Sequence, residues 1–491
     1  MQLSGAYLGI DLGTSGVKVV AADEDGAILA EHSTSLRVSR PQPGWSEQDP
    51  EEWWQATVAA IRALPAAIRR SIRGVGLSGQ MHGAVLLDAA DRVLRPAILW
   101  NDARSALECA ELERAEPASR EITGNLAMPG FTAPKLVWIR KHEPAIFSQV
   151  ATVLLPKDTL RLRLTGERVS DMSDAAGTLW LDVARRDWSD GMLAATGLGR
   201  AQMPSLVEGT AVSGRVLKTI ATELGIGEVP VAGGGGDNAA SAVGSGVIEP
   251  GDGLLSLGTS GVLFVVTDRF RPNVERAVHA FCHALPERWH QMAVMLSAAS
   301  ALDWVARVGG FIDAPTAVAA AMERGPRTDT PMFLPYLTGE RTPWNDPRAR
   351  GVFFGLGIET TAADLVLSVL EGVAQGMSQG QQALLAAGGR LERLCAVGGG
   401  SRLRYWLELL ASALAQPVVL RGGAEVGAAL GAARLAQVAC DGADPRMVCR
   451  PPPVHDEISP RADLTQWIES RRPAYVDLYW RLQPLFKEFP R

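Results

Sequence analysis

Asp237 follows four consecutive glycines in Gly233-Gly234-Gly235-Gly236-Asp237-Asn238, and Ala239-Ala240-Ser241-Ala242 after it opens a helix. Four glycines let a second molecule approach the backbone closely. Two roles fit the aspartate, and they are compatible. One is the N-cap of that helix; the other is a general base facing a substrate hydroxyl. An aspartate of ordinary pKa is a weak base toward a free alcohol. It can still accept the proton late, once bonding to phosphorus has made the alcohol acidic. The chemistry of a phosphate site is written elsewhere in the chain. Leu12-Gly13-Thr14-Ser15-Gly16-Val17 reappears word for word as Leu257-Gly258-Thr259-Ser260-Gly261-Val262, half a chain length later. Each copy reads as a strand, a glycine-hydroxyl turn and a second strand. Such turns leave backbone N–H groups open and cradle anions, and two of them facing each other hold a polyphosphate. Asp11 precedes the first copy and Ser256 the second, so only the first half brings a carboxylate to a phosphate-bound metal.

Three further segments carry weaker signals. Gly398-Gly399-Gly400-Ser401 precedes a helical pattern with Leu403, Trp406, Leu407, Leu410 and Leu414 on one face. Backbone N–H groups at a positive helix end, with Ser401 as cap, would seat a phosphate or ribose; a plain loop-to-helix turn is the alternative. Gln80-Met81-His82-Gly83 follows a strand, but a lone histidine is more often structural. Trp100-Asn101-Asp102 offers an aromatic face beside an amide and a carboxylate, which suits a polyol, or else simply caps a strand. Gly74-Val75-Gly76-Leu77-Ser78-Gly79 matches the dinucleotide pattern GxGxxG. A helical stretch precedes it and a hairpin follows, the wrong context for that fingerprint, so NAD is rejected; no GxxxxGK[ST] or HExxH motif occurs.

Positioning these groups takes an α/β scaffold. Strands are expected over Tyr7–Ile10, Val17–Ala22 and Gly74–Ser78. A hairpin of Ala84–Leu87 and Val93–Leu99 should turn at Asp88–Arg92. Asp49-Pro50-Glu51-Glu52 starts a helix reaching about Ala63. The Ala- and Gly-rich stretch Glu425–Val438 should pack closely, and Pro451-Pro452-Pro453 marks an extended loop. A duplication in 491 residues implies two related α/β halves with mixed sheets around a cleft, divided as 1–247 and 248–491 at the turn-rich Val247–Gly253. The net charge of −6 argues against a nucleic-acid partner, and no apolar run is long enough for a membrane helix. Five cysteines without CxxC spacing read as thiols of a reducing cytoplasm.

Together these segments resemble the FGGY family of carbohydrate kinases, within the actin/hexokinase-type ATPase fold of two ribonuclease-H-like domains. The likeness rests on Gly9–Ser15, Gly130–Trp138, Gly233–Asn238, Gly339–Gly351 and Gly398–Ser401, and covers nearly the whole chain. Gln80–Gly83, Ile98–Asp102, Leu155–Asp158 and Ser173–Asp182 with Arg186–Ser189 read like the branch that acts on D-xylulose. The resemblance implies that Asp237 is the base and that Met81, His82 and Asn238 contact the sugar; Trp100, Asn101 and Asp102 remain sugar candidates on their residue types. It implies that Asp11 acts on Mg²⁺ through water, and that Gly13, Thr14, Ser15, Gly258, Thr259, Ser260, Gly398, Gly399 and Gly400 hold ATP. The implied reaction transfers the ATP γ-phosphate to the terminal hydroxyl of D-xylulose in a cytoplasmic homodimer. The rivals are another acceptor (ribulose, gluconate, glycerol or a sugar alcohol), an actin- or chaperone-like ATPase, and a catalytically weak sensor.

Overall fold

The structure, a computed structural model, describes residues 5–422 and 427–488. Each copy of the duplicated hexapeptide turns a hairpin. Strand Ala6–Leu12 pairs antiparallel with Gly16–Ala22 and parallel with Ile72–Gly79. Strand Asp252–Leu257 repeats the arrangement with Gly261–Thr267 and Arg393–Val397. These strands are apolar almost throughout because helices cover both sheet faces.

Two mixed sheets grow from the hairpins, seven strands each among the described residues. The first continues through Ile28–Ser35 on one side and Pro230–Ala232 on the other, with the short strand Gly235–Gly236 also against Ile72–Gly79. The second continues through Trp289–Met295 and, beyond Arg393–Val397, Val418–Arg421. Separate cores fill the lobes. Leu8, Ile10, Val19, Trp53 and Leu77 pack together in the first; Leu255, Leu263, Val373, Trp406 and Leu410 do so in the second. Among the described residues no helix is long and apolar enough to cross a membrane.

Local chemistry behaves as its residue types dictate. Helix Pro50–Ala63 starts at Asp49, whose side chain accepts from the Glu51 amide. Three expectations need correction. Asp88 turns the chain, accepting from the Ala90 and Arg92 amides, and the two arms are joined by isolated bridges, Leu87 to Val93 and Ala84 to Ile98, rather than by a continuous ladder. The ladder partner of Val85–Leu87 is Thr152–Leu154. Ser401 is no cap: its hydroxyl donates to Gly398 O, and helix Arg404–Leu414 starts without a side-chain cap. Gly236, not Asp237, occupies the N-cap of helix Asp237–Ser245.

Helix Gly427–Asp441 covers most of the stretch expected to pack closely; Glu425 and Val426 lie outside the described residues. It comes from the C-terminal half of the chain yet lies on the first sheet. A Cβ at Gly9 would stand 1.8 Å from Ala429 O, and one at Gly76 would stand 1.8 Å from Ala432 O. The glycines that imitate a dinucleotide motif are thus the floor on which this helix rests. It also crosses helix Asp237–Ser245 at near contact, where a Cβ at Gly431 would meet Ala240 O at 1.8 Å.

Candidate active site

The parallel pairing sets the site. Asp11 is level with Ser78, and Ser78 with Gly235. Asp11 and Asp237 therefore emerge at the carboxyl ends of two strands that flank Ile72–Gly79, the edge where open α/β sheets bind ligands. In the second lobe Ser256 is level with Val397, so the Gly258–Ser260 turn and the Gly398–Gly400 loop leave the sheet together. Gly398 has φ +91°, and a Cβ there would meet Leu257 O at 2.7 Å. Gly399 has open space where its side chain would be.

A cavity of about 300 Å³ opens between the lobes. Met81, His82, Trp100, Asp237 and Asn238 line it from the first lobe; Ser256, Ser260, His279, Phe281 and Arg341 line it from the second. Ser260 brings the second glycine-hydroxyl turn to the wall. The first turn, closed by Gly13 N donating to Gly16 O, is tied to the wall through Trp100, whose Nε1 donates to Thr14 Oγ1 at 2.9 Å. Thr14 donates in turn to Gln80 Oε1 at 2.8 Å. Ser15 and Thr259 are exposed at the tips. A larger cavity of about 660 Å³ lies elsewhere. It contains neither turn and neither aspartate, and its Arg393 and Arg446 are already paired with Asp252 and Glu249.

Asp237 is held in one orientation. Its Oδ1 accepts from the Asn238 amide at 2.7 Å and from Asn238 Nδ2 at 2.8 Å. Burial raises its pKa to about 7, and the negative charge of Asp11 adds to the rise. That replaces the near-normal pKa expected from sequence and makes a better-matched base. Burial likewise raises Asp11 to about 6.

Behind Asp237, Ser173 Oγ accepts from the Gly236 amide at 3.0 Å and donates to Asp171 Oδ2 at 2.5 Å. Lys157 Nζ lies 2.8 Å from Asp171 Oδ1 and 2.5 Å from Asp158 Oδ1, all fully buried. This charged cluster grips the strand that carries Asp237.

His82 has φ +69°, a costly conformation for a non-glycine residue. Two groups hold it there: Lys135 Nζ and Thr132 Oγ1 both donate to His82 O, at 2.8 and 3.1 Å. The imidazole Nδ1 lies 2.6 Å from Gly177 O, so it carries the proton and Nε2 is left as an acceptor. Burial lowers the pKa of His82 to about 3, which keeps the ring neutral, and that of Lys135 to about 7.

Of the residues predicted to contact the sugar, two do not reach the cavity wall. Asn101 is exposed. Asp102 is buried, accepting from the Ser46 amide and from the Arg104 guanidinium at 2.7 Å; its role is structural. Sequence reasoning missed Lys135, Ser173, His279 and Arg341. Lys135, Ser173 and Arg341 lie inside segments already singled out, and for Lys135 and Arg341 an ionisable side chain there was the available signal. His279 had none.

Two duplicated phosphate-type turns, a buried carboxylate and a cavity shared by both lobes define a phosphotransferase of the actin/hexokinase architecture. Models of the FGGY family of carbohydrate kinases match residues 6–244 (N-terminal domain) and 253–440 (C-terminal domain). The chain belongs to this family and is a carbohydrate kinase, with ATP as its phosphoryl donor. It is 52% identical over 481 residues to xylulose kinase of Escherichia coli (strain K12), covering 98% of this chain and 99% of that protein. Xylulose kinase of Bacillus subtilis (strain 168) is 35% identical over 87% of each chain. Among solved structures, a xyloylose kinase from Brucella ovis superposes with a TM-score of 0.94 at 51% identity, covering 98% of this chain and 100% of that one. Xylulose kinase from Rhodospirillum rubrum gives 0.91 at 30% identity, with the same coverage.

Proposed function

We propose that this kinase phosphorylates the terminal hydroxyl of D-xylulose, giving D-xylulose 5-phosphate and ADP. The observation that carries the reading is the Asp237 carboxylate, fixed by Asn238 at the wall of an interlobe cavity that the second phosphate turn also lines. With Oδ1 engaged by Asn238, Oδ2 is the atom that takes the hydroxyl proton as the oxygen bonds to phosphorus. His82 Nε2 accepts from a sugar hydroxyl, Met81 and Trp100 shape the pocket, and Asn238 Oδ1 offers another acceptor. The amides of Gly13–Ser15, Gly258–Ser260 and Gly398–Gly400 receive the phosphates, stabilising charge as it spreads over the transferring group.

The residues present fit a hydrated magnesium ion. Asp11 Oδ1 is buried without a hydrogen-bond partner, and no group of three or more His, Cys, Asp or Glu among the described residues forms a metal cage. One carboxylate, phosphate oxygens and retained waters make the usual magnesium donor set. Bound there, the ion neutralises the polyphosphate. A cytoplasmic homodimer belongs to the same reading.

The test is product identification with ATP and, under identical conditions, D-xylulose, D-ribulose, D-gluconate, glycerol and xylitol. D-xylulose should give the highest kcat/KM and a 5-phosphate by NMR. A higher kcat/KM for any other acceptor reassigns the substrate, and ADP release indifferent to sugar reassigns the class.

A further inference from the structure

Arg341 and the groups around it are not used by the reaction as described so far. The residue lies in the long connection between the second-sheet strands Trp289–Met295 and Arg393–Val397, and its side chain reaches the interlobe cavity. Among the described residues lining that cavity it is the only cation, and no carboxylate lies within ion-pair distance of it. Its Nη1 donates to His279 Nε2 at 3.1 Å. A guanidinium has no acceptor, so Nε2 must accept and the proton sits on Nδ1, which lies 2.8 Å from Asn125 Oδ1. The Asn125 amide nitrogen in turn donates to Thr123 O and Ala280 O. Every polar atom in this chain has its direction fixed by the next. At the other end, the neighbouring Glu340 takes the Arg341 amide at 2.7 Å and the Leu296 amide at 2.9 Å on Oε1, which pins the backbone. A guanidinium has five N–H groups, and one is spent on His279; the fork is held at the wall with donors to offer.

The opposite wall presents acceptors: His82 Nε2, Asn238 Oδ1 and Asp237 Oδ2. Sugar hydroxyls can donate to these. A carbonyl oxygen cannot, because it only accepts. A ketopentose carries such an oxygen when it reacts. Its five-membered ring closes through the C5 oxygen, so that oxygen is a free hydroxyl only in the open-chain form, which has a C2 ketone. We propose that Arg341, positioned by His279 and Asn125, donates to the substrate's carbonyl oxygen and selects ketoses over alditols. This assignment rests on the reading of the protein as a D-xylulose kinase. It also makes the sugar a bridge between lobes, with hydroxyls held by the first and the carbonyl by the second.

Xylitol and D-arabinitol, the two products of reducing that carbonyl, are the probes. In Arg341→Met the kcat/KM ratio of D-xylulose to either alditol should fall about 10- to 100-fold, the loss typical of a hydrogen bond from a charged donor, and mainly through the KM for the ketose. Arg341→Lys, which keeps the charge and the stem but loses the fork, should show an intermediate ratio. His279→Leu should move the ratio in the same direction by removing the positioning contact. ADP affinity and thermal midpoints of all three variants separate misfolding from recognition, and the more stable of the two Arg341 variants decides. A wild type that prefers D-xylulose, with the preference intact in Arg341→Lys and Arg341→Met, overturns this inference and leaves the functional reading standing. A wild type that prefers alditols overturns both.

Discussion

At the scale of single residues, the site is built on two carboxylates that burial makes reluctant to ionise, Asp237 at about 7 and Asp11 at about 6. In the proposed mechanism Asp237 is the base and must be ionised to work, so kcat/KM for the sugar should fall about tenfold per unit as pH drops below 7 and level off above it. His82, held neutral down to about 3, adds no limb in that range. Because Asp11 contributes to the rise, Asp11→Asn should shift the Asp237 carboxyl titration to lower pH. Carbon-13 NMR of the nucleotide-free protein reads that shift without needing turnover, and an unmoved titration removes the coupling. Asp237→Asn should keep sugar binding and lose at least about 100-fold in kcat. Near-wild-type turnover in that variant removes Asp237 from the mechanism.

At the scale of elements, the site is held from behind. The Gly235–Gly236 strand ends in a hydrogen bond to Ser173, and through Ser173 it is anchored to Asp171 and Lys157. Ser173→Ala strands the Gly236 N–H without its acceptor, a cost of about 1–3 kcal/mol. The base shifts with its strand, so kcat should drop while the pH limb stays near 7; steady-state kinetics across pH, with a urea midpoint, checks both. Helices Asp237–Ser245 and Gly427–Asp441 cross so closely that a side chain at Gly431 would enter the Ala240 carbonyl. Gly431→Val should therefore destabilise by about 1–3 kcal/mol through overpacking. An unchanged urea midpoint would contradict so tight a crossing.

At the scale of the molecule, a cavity walled by both lobes makes ligand binding and lobe closure one equilibrium. A kinase open to water would transfer phosphate to it, and closure on sugar excludes that reaction. The radius of gyration from small-angle scattering should decrease when D-xylulose and a non-hydrolysable ATP analogue bind together. ATP hydrolysis without sugar should run at least tenfold slower than with it. No contraction and a sugar-independent rate would mean that the lobes do not act as jaws.

Much of this protein is legible in its sequence because the telling features are local. The repeated hexapeptide specifies a hairpin turn through residues next to one another, and its second copy announces the second lobe. Asp49-Pro50 starts a helix, and the glycines of Gly233–Asn238 mark a close backbone approach, for the same local reason. What the tertiary structure decided depends on groups far apart along the chain. The 84–99 turn keeps only isolated bridges between its arms, while Val85–Leu87 takes its regular ladder from Thr152–Leu154, some 65 residues on. The dinucleotide-like glycines turn out to be a floor for a helix some 350 residues later. Asp102 is claimed by the Ser46 amide, and Arg341 finds His279, only once the lobes have folded. The pKa values of Asp11 and Asp237 belong to the fold as well, since desolvation is a property of what surrounds a carboxylate and not of its neighbours in sequence.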